Sequence, residues 1–188
     1  TFQTLDSSIW DKLCSTSDAL EVRADLLSDR SRWSVLDQVQ LIRYACATET
    51  NPNSRRGFSS SNNPDAVPIV FTVRSIDQAG TWGNSPSDIV QMFDLLKVGL
   101  RAGVEVLDVE ANWGEEMIAS VCGDGNTATG YGSRILGSFH AVGYTPTNSQ
   151  CVEYAEMCAL NGRAHCAKLV LSNVDDNVAN DSCEEGLK

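Results

Sequence analysis

Charged residues interrupt stretches of this sequence that are otherwise apolar. Several fall at or near the carboxyl end of a predicted strand: Glu21, Arg23, Arg74, Asp108, Glu110 and His140. Lys168 lies inside a further strand and is followed by apolar residues. Charges within a buried parallel sheet cost free energy unless they are paired, and the carboxyl ends of parallel strands meet at one edge. We therefore expect these side chains to converge on a functional site.

A set of lysine, histidine, glutamate and arginine is typical of chemistry on a carbonyl group. An amine such as that of Lys168, among apolar residues, can attack a ketone and form a Schiff base. His140 can then move the proton α to the iminium, and Glu110 can orient the imidazole. Arginines bind a carboxylate through two parallel hydrogen bonds. Structural alternatives stay open: His140 as a satisfied core histidine, and Lys168 as an amine that extends from a strand to solvent.

Apolar periodicity predicts the elements that would position these residues. Apolar, β-rich runs, of the kind that is buried on both faces of a parallel sheet, predict strands at 19–22, 68–75, 104–111, 134–140 and 165–173. Helical spacing predicts helices at 33–48, 85–103, 114–122 and 148–162. The Ser-, Asn- and Pro-rich segment 49–68 is predicted to be a flexible loop. The alternation favours an α/β fold with a parallel sheet, either doubly wound or a (β/α) barrel, and no glycine-rich nucleotide motif is present.

Composition limits the class of protein and its partners. The 188 residues suit a single domain, 1–188. A net charge of -11 argues against direct binding of nucleic acid, and no apolar run is long enough to span a membrane. The seven cysteines include no Cys-x-x-Cys pair, so we expect no metal site. Reduced thiols and the lack of a signal-like start favour an intracellular protein, in the cytoplasm or nucleus.

Five segments, in this order, resemble the type I 3-dehydroquinate dehydratase family: "DALEVRADLL", "PIVFTVRSIDQAGTWG", "VEVLDVEANW", "ILGSFH" and "AKLVLSN". The resemblance extends over roughly residues 1 to 178 and is strongest to the dehydroquinase domain of the fungal pentafunctional arom protein. It also includes the dehydroquinase-like domain of the fungal quinate pathway repressor. It implies a (β/α) barrel in which 3-dehydroquinate loses water to give 3-dehydroshikimate through a lysine Schiff base.

The resemblance also implies a role for each site residue. Lys168 matches the Schiff-base lysine, His140 the general acid and base, and Glu110 the carboxylate beside that histidine. Glu21, Arg23 and Arg74 match residues that bind the substrate. Neither a metal nor an organic cofactor is implied.

The sequence departs from the family pattern in three ways that matter for function. The linker between "DVEA" and "ILGSFH" is a few residues longer than the family's usual spacing. Ala141 follows His140 where the family usually has Asp or Asn. The chain is also shorter than a complete barrel of roughly 250 residues, which implies an incomplete barrel of about six of the eight βα units, with its C-terminal part missing. Because an open sheet leaves two unpaired edges, we expect a homo-oligomer that associates through them.

These observations predict a non-catalytic regulatory domain of a fungal quinate-utilisation transcription repressor. Such a domain would bind a small 3-dehydroquinate-like metabolite and have an activator protein as its candidate partner. The alternative is an active 3-dehydroquinate dehydratase, because Lys168, His140 and Glu110 are all present. A third reading is an interaction domain whose pocket is unused.

Overall fold

A parallel five-stranded sheet forms the centre of the fold. The computed structural model describes residues 7–48, 67–123 and 132–171. The strands are hydrogen-bonded in chain order, and every neighbouring pair is parallel. They are β1 (Leu20–Arg23), β2 (Ile69–Thr72), β3 (Val106–Glu110), β4 (Arg134–Ala141) and β5 (Cys166–Leu171). The α/β fold expected from the sequence is therefore confirmed. The described residues contain five strands rather than about six, and the barrel is not closed.

Helices connect the parallel strands, as crossover connections require. They are α1 (Ser7–Thr16), α2 (Arg32–Thr48), α3 (Pro86–Arg101), α4 (Glu115–Cys122) and α5 (Asn148–Cys158). A capping box begins α3, in which Ser85 and Asp88 each accept the backbone N–H of the other. The N-terminal helix α1 was not predicted. Almost all of the predicted loop at 49–68 lies outside the described residues.

One face of the sheet packs on the helices and forms the hydrophobic core. Its residues alternate along each strand, as in Val22 of β1, Phe71 of β2 and Leu107 of β3, all of which are buried. At Gly99 of α3, an added Cβ atom would lie 2.6 Å from the Phe71 ring, so this glycine allows α3 to pack closely on β2. The opposite face carries the charged residues. Polar side chains thus line one face of the strands, in keeping with the charged residues that interrupt the apolar runs of the sequence.

Three further expectations can be compared with the described residues. Cys122, Cys151, Cys158 and Cys166 have free thiols, whereas Cys46 is disulfide-bonded, contrary to the expectation that the thiols are reduced. Within the ranges given above, no cluster of His, Cys, Asp or Glu is arranged to hold a metal ion. No helix there combines the length and apolar character that crossing a bilayer requires.

Candidate functional site

The face of the sheet opposite the hydrophobic core is called the open face below. Strand register aligns its polar residues in two rows. Arg23, Thr72 and Asp108 are register partners across β1, β2 and β3. Further along, Glu110, Ser138 and Lys168 are partners across β3, β4 and β5. Because side chains alternate between the faces of a strand, every residue of these rows faces the same side of the sheet. The register therefore brings together residues that are far apart in the sequence.

The guanidinium of Arg74, which follows β2, is the centre of a buried ionic network. It donates to Asp108 Oδ2 at 2.7 Å, to Ser138 Oγ at 2.9 Å and to Glu110 Oε1 at 3.4 Å. Ser138 in turn donates to the second oxygen of Asp108. All four side chains are buried. Arg74 thus links three buried side chains of the site, and its role in binding substrate stays a prediction.

Lys168 joins this network from the edge strand. Its Nζ lies 3.3 Å from Asp108 Oδ2, and its side chain is 35% exposed. Asp108 therefore receives hydrogen bonds from two cations, one buried and one accessible. The strand that carries Lys168 is fixed to α5 through the buried thiol of Cys158, whose Sγ is 3.6 Å from the Lys168 carbonyl oxygen. The amine can thus reach a small molecule bound on the open face.

Glu110 is buried and bonded to groups other than the histidine that the sequence suggested. Its Oε1 accepts the backbone N–H of Ser75 at 2.8 Å, and its Oε2 accepts the indole N–H of Trp113 at 3.1 Å. Burial raises the pKa of Glu110 above its ordinary value, while the Ser75 N–H and the charge on Arg74 act in the opposite direction. Among the hydrogen bonds of the described residues, none joins Glu110 to His140.

His140 lies near the end of β4 and is held by its backbone. Its N–H donates to Oε1 of the buried Gln78 side chain at 2.6 Å, whereas its ring nitrogen Nδ1 is buried without a hydrogen-bond partner. Burial, together with the positive charges of Arg74 and Lys168, lowers the pKa of His140 to about 4. The imidazole is therefore neutral at neutral pH and retains an unused ring nitrogen.

The first strand contributes the two remaining predicted residues. Glu21 Oε1 accepts the Thr72 hydroxyl at 2.7 Å. Arg23 is 28% exposed and forms two hydrogen bonds of 2.8 Å with the carboxylate of Asp25, through Nε and Nη2. These two residues share the open face with Lys168, and the charges of Arg23 and Asp108 interact. Arg23 is thus an accessible cation at the opposite end of the site from Lys168.

Sequence reasoning did not assign a role to four residues that organise the site: Asp25, Thr72, Gln78 and Ser138. Ser138 stands two residues before His140, so the alternation of a strand could have identified it as a neighbour on the same face. Asp25 stands two residues after Arg23 and has the charge to pair with it. No local pattern marks Gln78, because its contact with His140 joins a loop to a strand 62 residues later.

Comparisons with known proteins agree with this architecture. The sequence model of the type I 3-dehydroquinase family matches residues 3–179. The chain is 34% identical over 104 residues to the pentafunctional AROM polypeptide of Schizosaccharomyces japonicus and 29% identical over 127 residues to that of Mycosarcoma maydis. These alignments include 55% and 67% of the chain but 6% of each relative, so the chain corresponds to a small part of those proteins.

Solved structures resemble the fold. The type I 3-dehydroquinate dehydratase of Clostridium difficile matches with a TM-score of 0.64 and 21% identity, over 87% of this chain and 56% of that one. The dehydroquinate dehydratase and shikimate dehydrogenase part of S. pombe AroM matches with a TM-score of 0.59 and 25% identity, over 88% of this chain and 29% of that one. The open sheet therefore corresponds to part of the fold of these proteins.

Proposed function

Because the chain belongs to the type I 3-dehydroquinase family, we propose that it is a ligand-binding regulatory domain that retains the family's pocket without its turnover. It would sense a 3-dehydroquinate-like metabolite as part of a fungal repressor of quinate utilisation. The observation that carries this proposal is the environment of His140. Its backbone N–H donates to the amide of Gln78, and its ring nitrogen Nδ1 is buried without a hydrogen-bond partner.

A proton-transfer residue works best when its pKa lies near the working pH. With a pKa of about 4, His140 is a weak base and carries no acidic proton at neutral pH. No carboxylate of the described residues hydrogen-bonds its ring to stabilise an imidazolium, because Glu110 is committed to Ser75 and Trp113. Ligand binding needs none of these features, since binding and transition-state stabilisation are separate requirements.

The accessible groups of the site fit a hydroxylated carboxylate. Arg23 and Lys168 are the partly exposed cations on the open face, and either can donate to a carboxylate. His140 lies on the same face and is only partly buried, so its imidazole can contact a ligand hydroxyl. The buried Arg74, whose partners are Asp108, Glu110 and Ser138, supports the site rather than meeting the ligand.

The second candidate function is active 3-dehydroquinate dehydratase, and the position of Lys168 favours it. Its amine is 35% exposed and shares the open face with His140. In this reaction the neutral amine adds to the ketone and expels water to form an iminium. His140 accepts the proton α to the iminium, and the β-hydroxyl leaves as a second water. Hydrolysis of the conjugated iminium then releases the enone product and restores the amine. No metal or organic cofactor takes part.

Three measurements with 3-dehydroquinate separate these functions. Quenching of tryptophan fluorescence reports binding, because Trp113 donates to Glu110 within the site. Borohydride reduction followed by mass spectrometry reports a Schiff base on Lys168. Ultraviolet absorbance of the enone reports turnover. The regulatory proposal predicts binding with no enone formation, whereas turnover that is lost in Lys168→Ala would refute it and establish the dehydratase.

A matched control and a third outcome complete this experiment. Lys97→Ala removes a partly exposed lysine of α3 that pairs only loosely, at 3.8 Å, with Asp94, and it should leave binding unchanged. If the protein shows no binding, no adduct and no turnover, the remaining reading is an interaction domain whose pocket is unused. An adduct without enone formation would support a site that binds covalently but does not complete the reaction.

Self-association through the open sheet edges is a separate proposal. β5 has one hydrogen-bonded neighbour in the described sheet, and Cys166 and Leu171 are exposed on it. Unpaired edge strands favour pairing with another chain. Light scattering at high concentration should therefore show a homo-oligomer, which Leu171→Lys should weaken. A monomer at every concentration would contradict this proposal.

The setting of the domain is also proposed. A repressor role requires an intracellular location and an activator protein as partner. With a net charge of -11, the chain is suited to a basic protein surface rather than to nucleic acid. Co-purification of the chain with the activator, gained or lost on addition of 3-dehydroquinate, would test this role. Equal co-purification with and without 3-dehydroquinate would contradict the repressor role.

A further inference from the structure

A buried carboxylate lies directly behind the accessible arginine of the site. Asp25 stands in the short 3₁₀ turn after β1 and is 0% exposed. Both of its oxygens accept from Arg23, Oδ1 from Nε and Oδ2 from Nη2, each at 2.8 Å. A planar guanidinium with two parallel hydrogen bonds to one carboxylate has its plane and its direction fixed. The Nη1 group, which lies in the same plane, takes no part in this pair.

Asp25 is itself held by the loop that follows β2. The backbone N–H of Thr81 donates to Asp25 Oδ2 at 3.2 Å, and the Thr81 hydroxyl donates to the Asp25 carbonyl oxygen at 2.5 Å. Arg30 donates to the same hydroxyl at 3.0 Å. A carboxylate taken fully out of water is costly unless its hydrogen bonds are satisfied. The hydrogen bonds from Arg23 and Thr81 offset this cost and also fix the position of the Asp25 carboxylate.

The loop of residues 75–82 connects Asp25 to the rest of the site. Four backbone hydrogen bonds close it, of which two join Arg74 and Ile76 to Trp82. Thr81 of this loop contacts Asp25, and Gln78 of the same loop contacts His140. The geometry of Arg23 is therefore tied to that of His140 through one closed loop rather than through the sheet alone.

We infer that Asp25 is a positioning residue that orients the Arg23 guanidinium toward the carboxylate of the bound ligand. This inference rests on the proposed function, in which Arg23 is one of the two accessible cations of the site. Asp25 does not meet the ligand, because it is fully buried. Its contribution is to hold Arg23 in one orientation before binding, so that less side-chain freedom is lost when the ligand arrives.

A double-mutant cycle in the full chain tests this inference. The variants are Asp25→Asn, Arg23→Gln and the combination, and the measurement is calorimetric affinity for 3-dehydroquinate. We expect Asp25→Asn to weaken binding about tenfold, and the double variant to bind no more weakly than Arg23→Gln alone. Additive losses of affinity would show that Asp25 does not act through Arg23 and would overturn the inference. Asp94→Asn, at an exposed position of α3, is the matched control.

A second measurement needs no ligand, and one of its variants leaves Asp25 in place. In the nitrogen–proton NMR spectrum, the signal of the Arg23 Nε–H is the one that is absent from the spectrum of Arg23→Gln. In the wild type, this proton should exchange slowly with solvent. Asp25→Asn should abolish that protection, and Thr81→Val, which keeps the carboxylate, should reduce it. If the Arg23 Nε–H exchanges equally fast in the wild type, Asp25→Asn and Thr81→Val, the inference is wrong. If the wild type binds no 3-dehydroquinate, the proposed function fails, while this comparison still decides whether Asp25 orders Arg23.

Discussion

The protonation of His140 offers the most direct test of how the site is built. Burial lowers its pKa to about 4, from an ordinary value of 6.5, and the charges of Arg74, Lys168 and Arg23 act in the same direction against that of Asp108. At 1.36 kcal/mol per pKa unit, this difference corresponds to at most about 3.4 kcal/mol. Because the ring is only half-buried, solvent screening reduces the expected effect to about 1–2 kcal/mol.

The sign follows from which state binds more protons. Between pH 6.5 and about 4 the unfolded chain protonates this histidine and the folded chain does not, so stability is lost as the pH falls through this range. Urea unfolding at pH 7 and pH 5 should show that the wild type loses about 1–2 kcal/mol more than His140→Gln. The second histidine, His165, accepts the backbone N–H of Ile135 at 3.0 Å and gives a second imidazole signal.

An NMR titration measures the same quantity directly. The chain has two histidines, so His165→Gln leaves one imidazole signal to follow. Its midpoint should lie well below 6.5, and a bound carboxylate should raise it, because the anion offsets the neighbouring positive charges. A midpoint at or above 6.5 without ligand would refute the reasoning. It would mean that solvent or an acidic neighbour stabilises the imidazolium, and the argument against proton transfer would be lost.

Three further predictions concern stability. Asp108→Asn should lower the free energy of unfolding by about 3–5 kcal/mol, because it leaves the buried guanidinium of Arg74 without its closest carboxylate. Gly137→Ala should cost about 1–3 kcal/mol, since the added Cβ would lie 1.9 Å from the carbonyl oxygen of Cys158. Ser85→Ala should cost about 0.5–2 kcal/mol by removing the N-terminal cap of α3.

Each of these stability predictions is measured by urea unfolding at pH 7 and has its own control. Asp94→Asn, an exposed carboxylate, should change stability little, and an equal loss in Asp108→Asn and Asp94→Asn would contradict the role of the buried network. Gly114→Ala is the control for Gly137→Ala, because a Cβ atom added at Gly114 has no atom within 4 Å. Ser87→Ala, beside the cap, should cost less than Ser85→Ala.

Local sequence patterns were sufficient for the elements and for the family. Apolar runs predicted the five strands and helical spacing predicted α2 to α5, because burial on one face imposes a period on the chain. The start of α3, expected at residue 85, is fixed by the local hydrogen bonds of a capping box. The ordered motifs around Arg23, Arg74, Glu110, His140 and Lys168 predicted the type I dehydroquinase family, which is confirmed. Their roles in binding or catalysis stay predictions.

Which of these residues contact one another was decided only by the tertiary structure. Glu110 was expected beside His140, yet it bonds to Ser75 and Trp113, while His140 is next to Gln78. A sequence can place a charge at the end of a strand. It cannot show the partner, because the partner depends on strand register and on how a loop closes over distant elements. In this chain the sequence was enough to predict which residue types line the site. Its hydrogen bonds and the lowered pKa of His140 depend on how the strands and loops pack together.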